Sequence, residues 1–219
     1  MTTPMSSPSS QRPPVRIITV SREYGAGGRD VALALGQALG WRVLDRDLVS
    51  LVAEKLELGE EVMARLDEHA PGLLVRLSSM LLVAMPEQPV PVAPIPSIDL
   101  DHAAVVTRQV IEEAVQSPPL IIVGHGAQVL LQDRPDAFHV RLAGPLHNRV
   151  ERLCARYGWE PAYAEAQARR LDRERREYVQ RYYHRHVGDM LLYDLQVNTG
   201  RLSIALATDL IRQAVEQFG

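Results

Sequence analysis

The chain has 219 residues, 46% hydrophobic content and a net charge of −3, enough to bury a substantial core, which excludes disorder throughout and predicts one main domain over residues 15–219. A single cysteine, Cys154, excludes an internal disulfide, and with no charged-then-apolar leader at its start the expected setting is the cytoplasm. Charge is spread unevenly: residues 141–186 carry 11 arginines against 6 acids, and Lys55 is the only lysine among 24 basic residues, so phosphate chemistry would run on arginine.

Residues 1–14, MTTPMSSPSSQRPP, form a polar Pro/Ser-rich tail expected to be disordered. The apolar run 15–20 predicts a first buried strand. A glycine-rich turn follows, then a helix in which Val31, Leu35 and Leu39 recur every four residues before Gly40. A turn of this kind lets backbone N–H groups approach an anion, and the helix behind it adds a partial positive end. Two nucleotide-binding patterns compete for it. In the dinucleotide pattern, Gly25 and Gly27 are the first glycines and Asp45, 20 residues after Gly25, holds a ribose, but Asp30 stands where the third glycine belongs and would repel a pyrophosphate. In the G-x-x-x-x-G-K-[ST] pattern, setting Gly27 as the closing glycine puts Gly28 in the lysine place and Arg29 in the hydroxyl place. Sliding by one residue puts Arg29 and Asp30 there, so that Arg29 replaces the cation and Asp30 reaches a metal. Neither register supplies the leading glycine, and a tight turn with glycines for sterics alone stays open beside both.

A second strand is expected at 41–44, after which residues 47–101 break the rhythm. This insertion holds two or three helices, including the apolar run 72–85 with Arg76 inside it. That run is too short for a membrane span and reads as a buried amphipathic helix, with a homodimer interface as the alternative. The stretch PEQPVPVAPIPS at 86–97 predicts an extended connector. Ala103, Val106, Val110 and Ala114 mark a helix, and 120–124 a third strand that delivers His125 to a cleft, where a phosphate or base contact competes with simple packing. A fourth strand is expected at 139–143. The helix after Pro145 carries Leu146, Val150, Leu153 and Tyr157 on one stripe and Arg149, Arg152 and Arg156 on the opposite one. Next, ARRLDRERREYVQRYY packs Arg169, Arg170, Arg173, Arg175 and Arg176 around Asp172. A solvated helix would pair Asp172 with Arg176 and Glu177 with Arg181, yet several arginines are left over, and a transferring phosphoryl group is what such a cluster neutralises. A fifth strand at 194–198 and a last helix through Ile204, Ala207, Ile211, Ala214 and Phe218 complete the chain. Non-alternating strands separated by helices predict an α/β fold with a mainly parallel sheet covered on both faces. The histidines show no metal-ligand spacing.

Six blocks in order, ITVSREYGAGGRDVA, WRVLDRDLV, LIIVGHGAQVLL, VRLAGPLHNRVERL, LDRERREYVQRYY and GDMLLYDLQVNTG, resemble the cytidylate kinase-like family within the P-loop nucleoside monophosphate kinases. Members of that family often lack the loop lysine. The resemblance implies a three-layer P-loop kinase fold with a five-stranded parallel sheet, a helical insertion at 47–101 for the acceptor nucleotide and an arginine-rich lid at 158–189. It implies ATP and Mg²⁺, small-molecule nucleotides as partners in place of nucleic acid or membrane, and ATP-dependent phosphoryl transfer with CMP or dCMP as the leading acceptor. By position, Gly25, Ala26, Gly27, Gly28, Arg29 and Asp30 would form the ATP loop, with Asp30 toward the metal, and Asn198 and Thr199 would meet adenine. Asp45 and Arg46 would face the acceptor, and Arg149, Arg152, Asp172 and Arg175 would match the catalytic lid and its supporting helix. One departure is His125, where relatives read G-R-G, so a phosphate-binding arginine is replaced. A degenerate nucleotide-binding protein and a dinucleotide-dependent oxidoreductase are the alternatives.

Overall fold

A computed structural model describes residues 13–56 and 100–218 of the chain. Five strands, β1 (Ile17–Arg22), β2 (Arg42–Leu44), β3 (Leu120–Val123), β4 (Ala137–Ala143) and β5 (Leu195–Asn198), form one sheet in the order β2-β3-β1-β4-β5 with every pairing parallel. Ile17, Ile18, Thr19 and Val20 are all buried, because the central strand has protein on both faces, and this is why the strand shows no alternation in sequence. β1 runs two residues beyond its hydrophobic stretch, since Ser21 and Arg22 still pair with Arg141 and Leu142 of β4. That extension carries an arginine out of the sheet's carboxyl edge.

The described helices are α1 (Gly28–Leu39), α2 (Arg46–Lys55), α3 (Leu100–Ala114), α4 (Ala127–Leu130), α5 (Leu146–Tyr157), α6 (Pro161–Tyr183) and α7 (Ile204–Gln217). α1 stops where expected, at Gly40, which takes a left-handed φ of 69° and donates its N–H to Gly36 O. α7 starts at Ser203, whose hydroxyl accepts the Leu206 N–H. Val31 and Leu35 of α1 pack with Ile211 and Val215 of α7 against Ile18, Val20 and Val140. On the opposite face Leu48 and Val52 of α2 and Val106, Val110 and Ile111 of α3 pack against Ile17, Leu120 and Ile122. Neighbouring residues of one strand thus serve two cores, giving three layers, and each fully buried Ile or Leu contributes roughly 1.5–3 kcal/mol.

α6 is anchored at both ends. Ala164 and Ala168 sit against Val150 and Leu153 of α5, while Tyr178 and Val179 join Ala104, Val129, Val187, Leu192 and Tyr193. The tyrosines at its end are therefore packing groups, and Cys154 packs against the α5 cluster. The two intrahelical pairs expected for a solvated α6 are replaced by longer-range partners: Asp172 binds Arg149, and Arg181 binds Asp101. Among the described residues no helix is long and apolar enough to cross a membrane. The expectations for residues 1–12, the apolar run 72–85 and the connector 86–97 lie outside the described residues.

Candidate active site

The site is built at the carboxyl edge of the central strands, where the connections from β1 and β3 leave in different directions. After Arg22 the chain bends: Glu23 N–H reaches Leu142 O, and Ala26 N–H returns to Glu23 O. Gly25 and Gly27 have φ of 79° and 77°, a conformation that disfavours any side chain. Contact adds to that demand. A Cβ on Gly25 would lie 2.9 Å from Arg149 O and 3.1 Å from Leu153 Cγ, and one on Gly27 would strike Ile204 Cδ1. Ala26 between them is fully buried. One side of the turn is therefore packed against α5 and α7, and the first amides of α1, starting at Gly28, lack intrahelical acceptors and can face an anion.

All four residues expected to form the catalytic lid converge on this turn. Arg149 donates Nε–H to Gly144 O at 2.9 Å and Nη1–H to Tyr24 O at 2.8 Å and to Asp172 Oδ2 at 2.7 Å. Glu23 Oε2 lies 3.4 Å from its Nε, and the other oxygen of Asp172 accepts the Tyr24 N–H at 2.7 Å. Arg149 is 6% exposed, so the arginine stripe on α5 begins with a buried, twice-paired guanidinium. Arg152 donates to Gly25 O at 2.6 Å and to Thr199 O at 2.9 Å, and Arg156 pairs with Asp30 Oδ1 at 2.5 Å. Arg175, from α6, donates to Arg22 O at 3.1 Å, with its guanidinium carbon 5.5 Å from the centre of the Tyr24 ring. In this conformation the arginines grip the carbonyls of the turn.

Beside the turn lies a cavity of about 70 Å³, lined among others by Ser21, Arg22, Gly124, His125, Gln128 and Arg175. A single water needs only ~10–15 Å³ by such a measure, so a group of several heavy atoms fits. Residues 25–28 do not line it; it lies on the β3 and α6 side. Among the described residues neither Arg22 nor Arg175 has a carboxylate within 4.0 Å. Burial, and then the charge of Arg22, pull Arg175 down to about 9; burial lowers Arg22 too, against the opposing pull of Asp45. His125, with a left-handed φ of 57°, is pushed down to about 3 by burial and then by the same two guanidiniums, so it is neutral at ordinary pH. Two cations and a neutral imidazole share one cavity, and the opposing pulls of Asp45 and Asp172 come from beyond ion-pair distance.

The remaining expected residues are dispersed around this centre. Arg29 Nε lies 3.4 Å from Asp45 Oδ2, so the loop arginine and the acceptor-side carboxylate hold each other. Arg46 opens α2. Asn198 is exposed and accepts the Gly200 N–H, whereas Thr199 is buried with its hydroxyl on Ala143 O, leaving Asn198 as the accessible member of that pair. Asp30 is the one expected metal ligand, and no group of three His, Cys, Asp or Glu able to hold an ion occurs among the described residues. Sequence reasoning missed Arg22, Glu23 and Tyr24. A signal for Arg22 was present: it stands five residues before Gly27, in the place of the missing leading glycine.

A parallel sheet in the order β2-β3-β1-β4-β5 with a glycine turn between β1 and α1 defines a P-loop kinase fold. It excludes the dinucleotide alternative, whose second strand lies directly beside the first; here β3 separates them. The model of the cytidylate kinase-like family matches residues 17–201, and the chain belongs to that family. A cytidylate kinase from Staphylothermus marinus is 27% identical over 128 residues, covering 56% of this chain and 66% of that enzyme, just under two thirds of its length. Among solved structures, an uncharacterized protein from Eubacterium ventriosum superposes with a TM-score of 0.68 at 20% identity, covering 92% of this chain and 98% of the other. A shikimate kinase from Bacteroides thetaiotaomicron gives 0.50 at 15% identity, covering 91% and 98%.

Proposed function

We propose that the protein transfers the terminal phosphoryl group of ATP to a nucleoside monophosphate, with CMP or dCMP as the first acceptor to test. The observation that carries this reading is the pair Arg22 and Arg175, recessed in one cavity at the carboxyl edge of β1 and β3 with no carboxylate in ion-pair contact among the described residues. A desolvated cation costs free energy unless an anion meets it, and two guanidiniums side by side repel each other as well. A phosphoryl group in flight, with negative charge spread over its oxygens, answers both needs. The choice of acceptor follows the Staphylothermus marinus relative.

In this reading the α1 amides and Arg152 hold the donor phosphates, while Arg22 and Arg175 hold the group being transferred. Arg149 and Asp172 fix the turn from below. Neutral His125 offers the acceptor a hydrogen bond without a third positive charge. The acceptor phosphate is itself the nucleophile, so alignment and exclusion of water carry the catalysis and no general base is needed. Asp30 would hold Mg²⁺ once Arg156 releases it; one carboxylate suits an ion that keeps several waters and binds mainly through phosphates. The ion when bound neutralises charge on those phosphate oxygens.

A second reading, nucleotide binding without turnover, is favoured by one specific observation: Arg152 and Arg156 already have protein partners, on Gly25 O, Thr199 O and Asp30. A coupled assay of ADP release with ATP, Mg²⁺ and a panel of monophosphates separates the two. Turnover with CMP or dCMP supports the kinase reading. ATP binding with silence across the panel selects the second, and failure to bind ATP removes both.

A further inference from the structure

Arg22 and Gly28 belong together in a way that neither residue explains alone. In the register that closes the motif at Gly27, Arg22 holds the place of the leading glycine and Gly28 the place of the lysine. In space the Arg22 side chain crosses directly over Gly28: a Cβ there would lie 2.9 Å from Arg22 Cβ, 2.7 Å from its Cγ and 3.2 Å from its Cδ. Nothing in the backbone asks for glycine at this point, since Gly28 is the first residue of α1 and has no positive φ. Alanine would suit the helix better. Further out, the guanidinium tip lies against Gly124, where a Cβ would collide with Nη1. Two glycines, one opening α1 and one in the loop after β3, thus clear a path for one arginine. At the end of that path the guanidinium makes no hydrogen bond or ion pair among the described residues; it lines the cavity with Arg175 and His125.

We infer that Arg22 replaces the missing loop lysine, supplying from the first place of the motif the phosphate-binding cation that other P-loops supply from the seventh. This rests on the phosphotransferase reading, but it assigns a residue that the motif itself gives no role beyond a tight turn. Gly28 then has a steric duty: it is small because Arg22 occupies the lysine's space. A guanidinium delivered this way presents two parallel N–H groups to a phosphate where a lysine presents one point charge. A purely structural Arg22 would be expected to bind the Gly124 loop through its donors, and it does not.

The test is an exchange of positions in the full-length protein. ATP affinity by calorimetry and ADP release with CMP are measured for wild type, Arg22→Gly, Gly28→Ala, Arg22→Gly with Gly28→Ala, and Arg22→Gly with Gly28→Lys, each with a thermal melt. Arg22→Gly is expected to lower turnover about a thousandfold, and adding Gly28→Lys to recover more than about tenfold of that, because the cation returns to the same space. Gly28→Ala, whose Cβ would stand under 3.0 Å from Arg22 Cβ and Cγ, should lower the melting temperature and lower turnover at least about tenfold, and both effects should disappear in the Arg22→Gly background. If wild type binds ATP without turnover, the same order is read in ATP affinity. Wild-type behaviour of Arg22→Gly, no recovery in the Lys exchange, or an equal effect of Gly28→Ala with and without Arg22 overturns the inference while leaving the kinase reading standing. Should Arg22→Gly fail to fold, Gly28→Ala alone decides: unchanged turnover overturns the inference. Absence of ATP binding by wild type overturns the functional reading and the inference with it.

Discussion

Arg149 and Arg175 reach the same glycine turn from neighbouring helices, and they have opposite surroundings. Arg149 lies between Glu23 and Asp172 and donates to two backbone carbonyls, so its charge and its donors are answered by the protein. Arg175 faces Arg22 and His125 across a cavity, and its protein contacts are one carbonyl and the face of Tyr24. A matched guanidinium beneath a loop holds the loop's shape, whereas an unmatched one in a cavity waits for an anion. Composition and spacing group both residues as one arginine cluster. Their partners divide it into a clasp and, on the function proposed above, a binding site.

Breaking the binding-site half should show in function with little change in folding. Arg175→Ala is expected to reduce turnover about a thousandfold while leaving the melting temperature unchanged or higher, since the repulsion with Arg22 is removed; equal losses of turnover and stability would merge the two regions. Breaking the clasp should do the reverse. Arg149→Ala leaves Glu23 and Asp172 facing each other in a buried place and is expected to cost about 3–5 kcal/mol of stability, read by denaturant unfolding. Removing Arg149 and Asp172 together should cost less than the sum of the single changes.

The comparison sharpens with pH. Burial and then the charge of Arg22 press on Arg175, yet a guanidinium keeps its proton in a protein. Affinity for pyrophosphate should therefore show no loss attributable to Arg175 between about pH 6 and 9. His125, at about 3, should contribute nothing between pH 5 and 8, and a step in affinity near its ordinary 6.5 would show that it titrates in the open. The smallest effect is expected from Arg156→Gln. Its pair with Asp30 is partly exposed, 41% and 30%, and is worth at most about 1 kcal/mol, so melting should barely change while freeing Asp30 lowers the Mg²⁺ requirement for ATP binding.

Much of the fold was legible from hydropathy alone. Five short apolar runs became the five strands, and Gly40 and Pro145 marked helix ends, because burial on two faces and chain termination are local properties of sequence. The family resemblance implied a five-stranded parallel sheet, and the order of its strands came only with the structure. The glycine turn was legible as a strand-to-helix turn, and of the residues expected around it Arg152 reaches Gly25 O while Arg175 and His125 line the cavity beside it. Arg22 was not found, since as the final residue of a strand it offers no periodicity, and its meaning depends on a glycine six residues later and on another in a different loop. The distinction between Arg149 and Arg175 was equally hidden. It turns on Glu23 and Asp172, which form ion pairs with Arg149 and not with Arg175, contacts between residues far apart in the chain.

Calorimetric titration of pyrophosphate into the wild-type protein and into Arg175→Ala at pH 7.5 tests most directly that the recessed arginine pair is an anion site. Saturable one-site binding to the wild type, weakened at least about tenfold in a folded Arg175→Ala, is the expected result. Equal affinity in the two proteins, or no binding by the wild type, would contradict it.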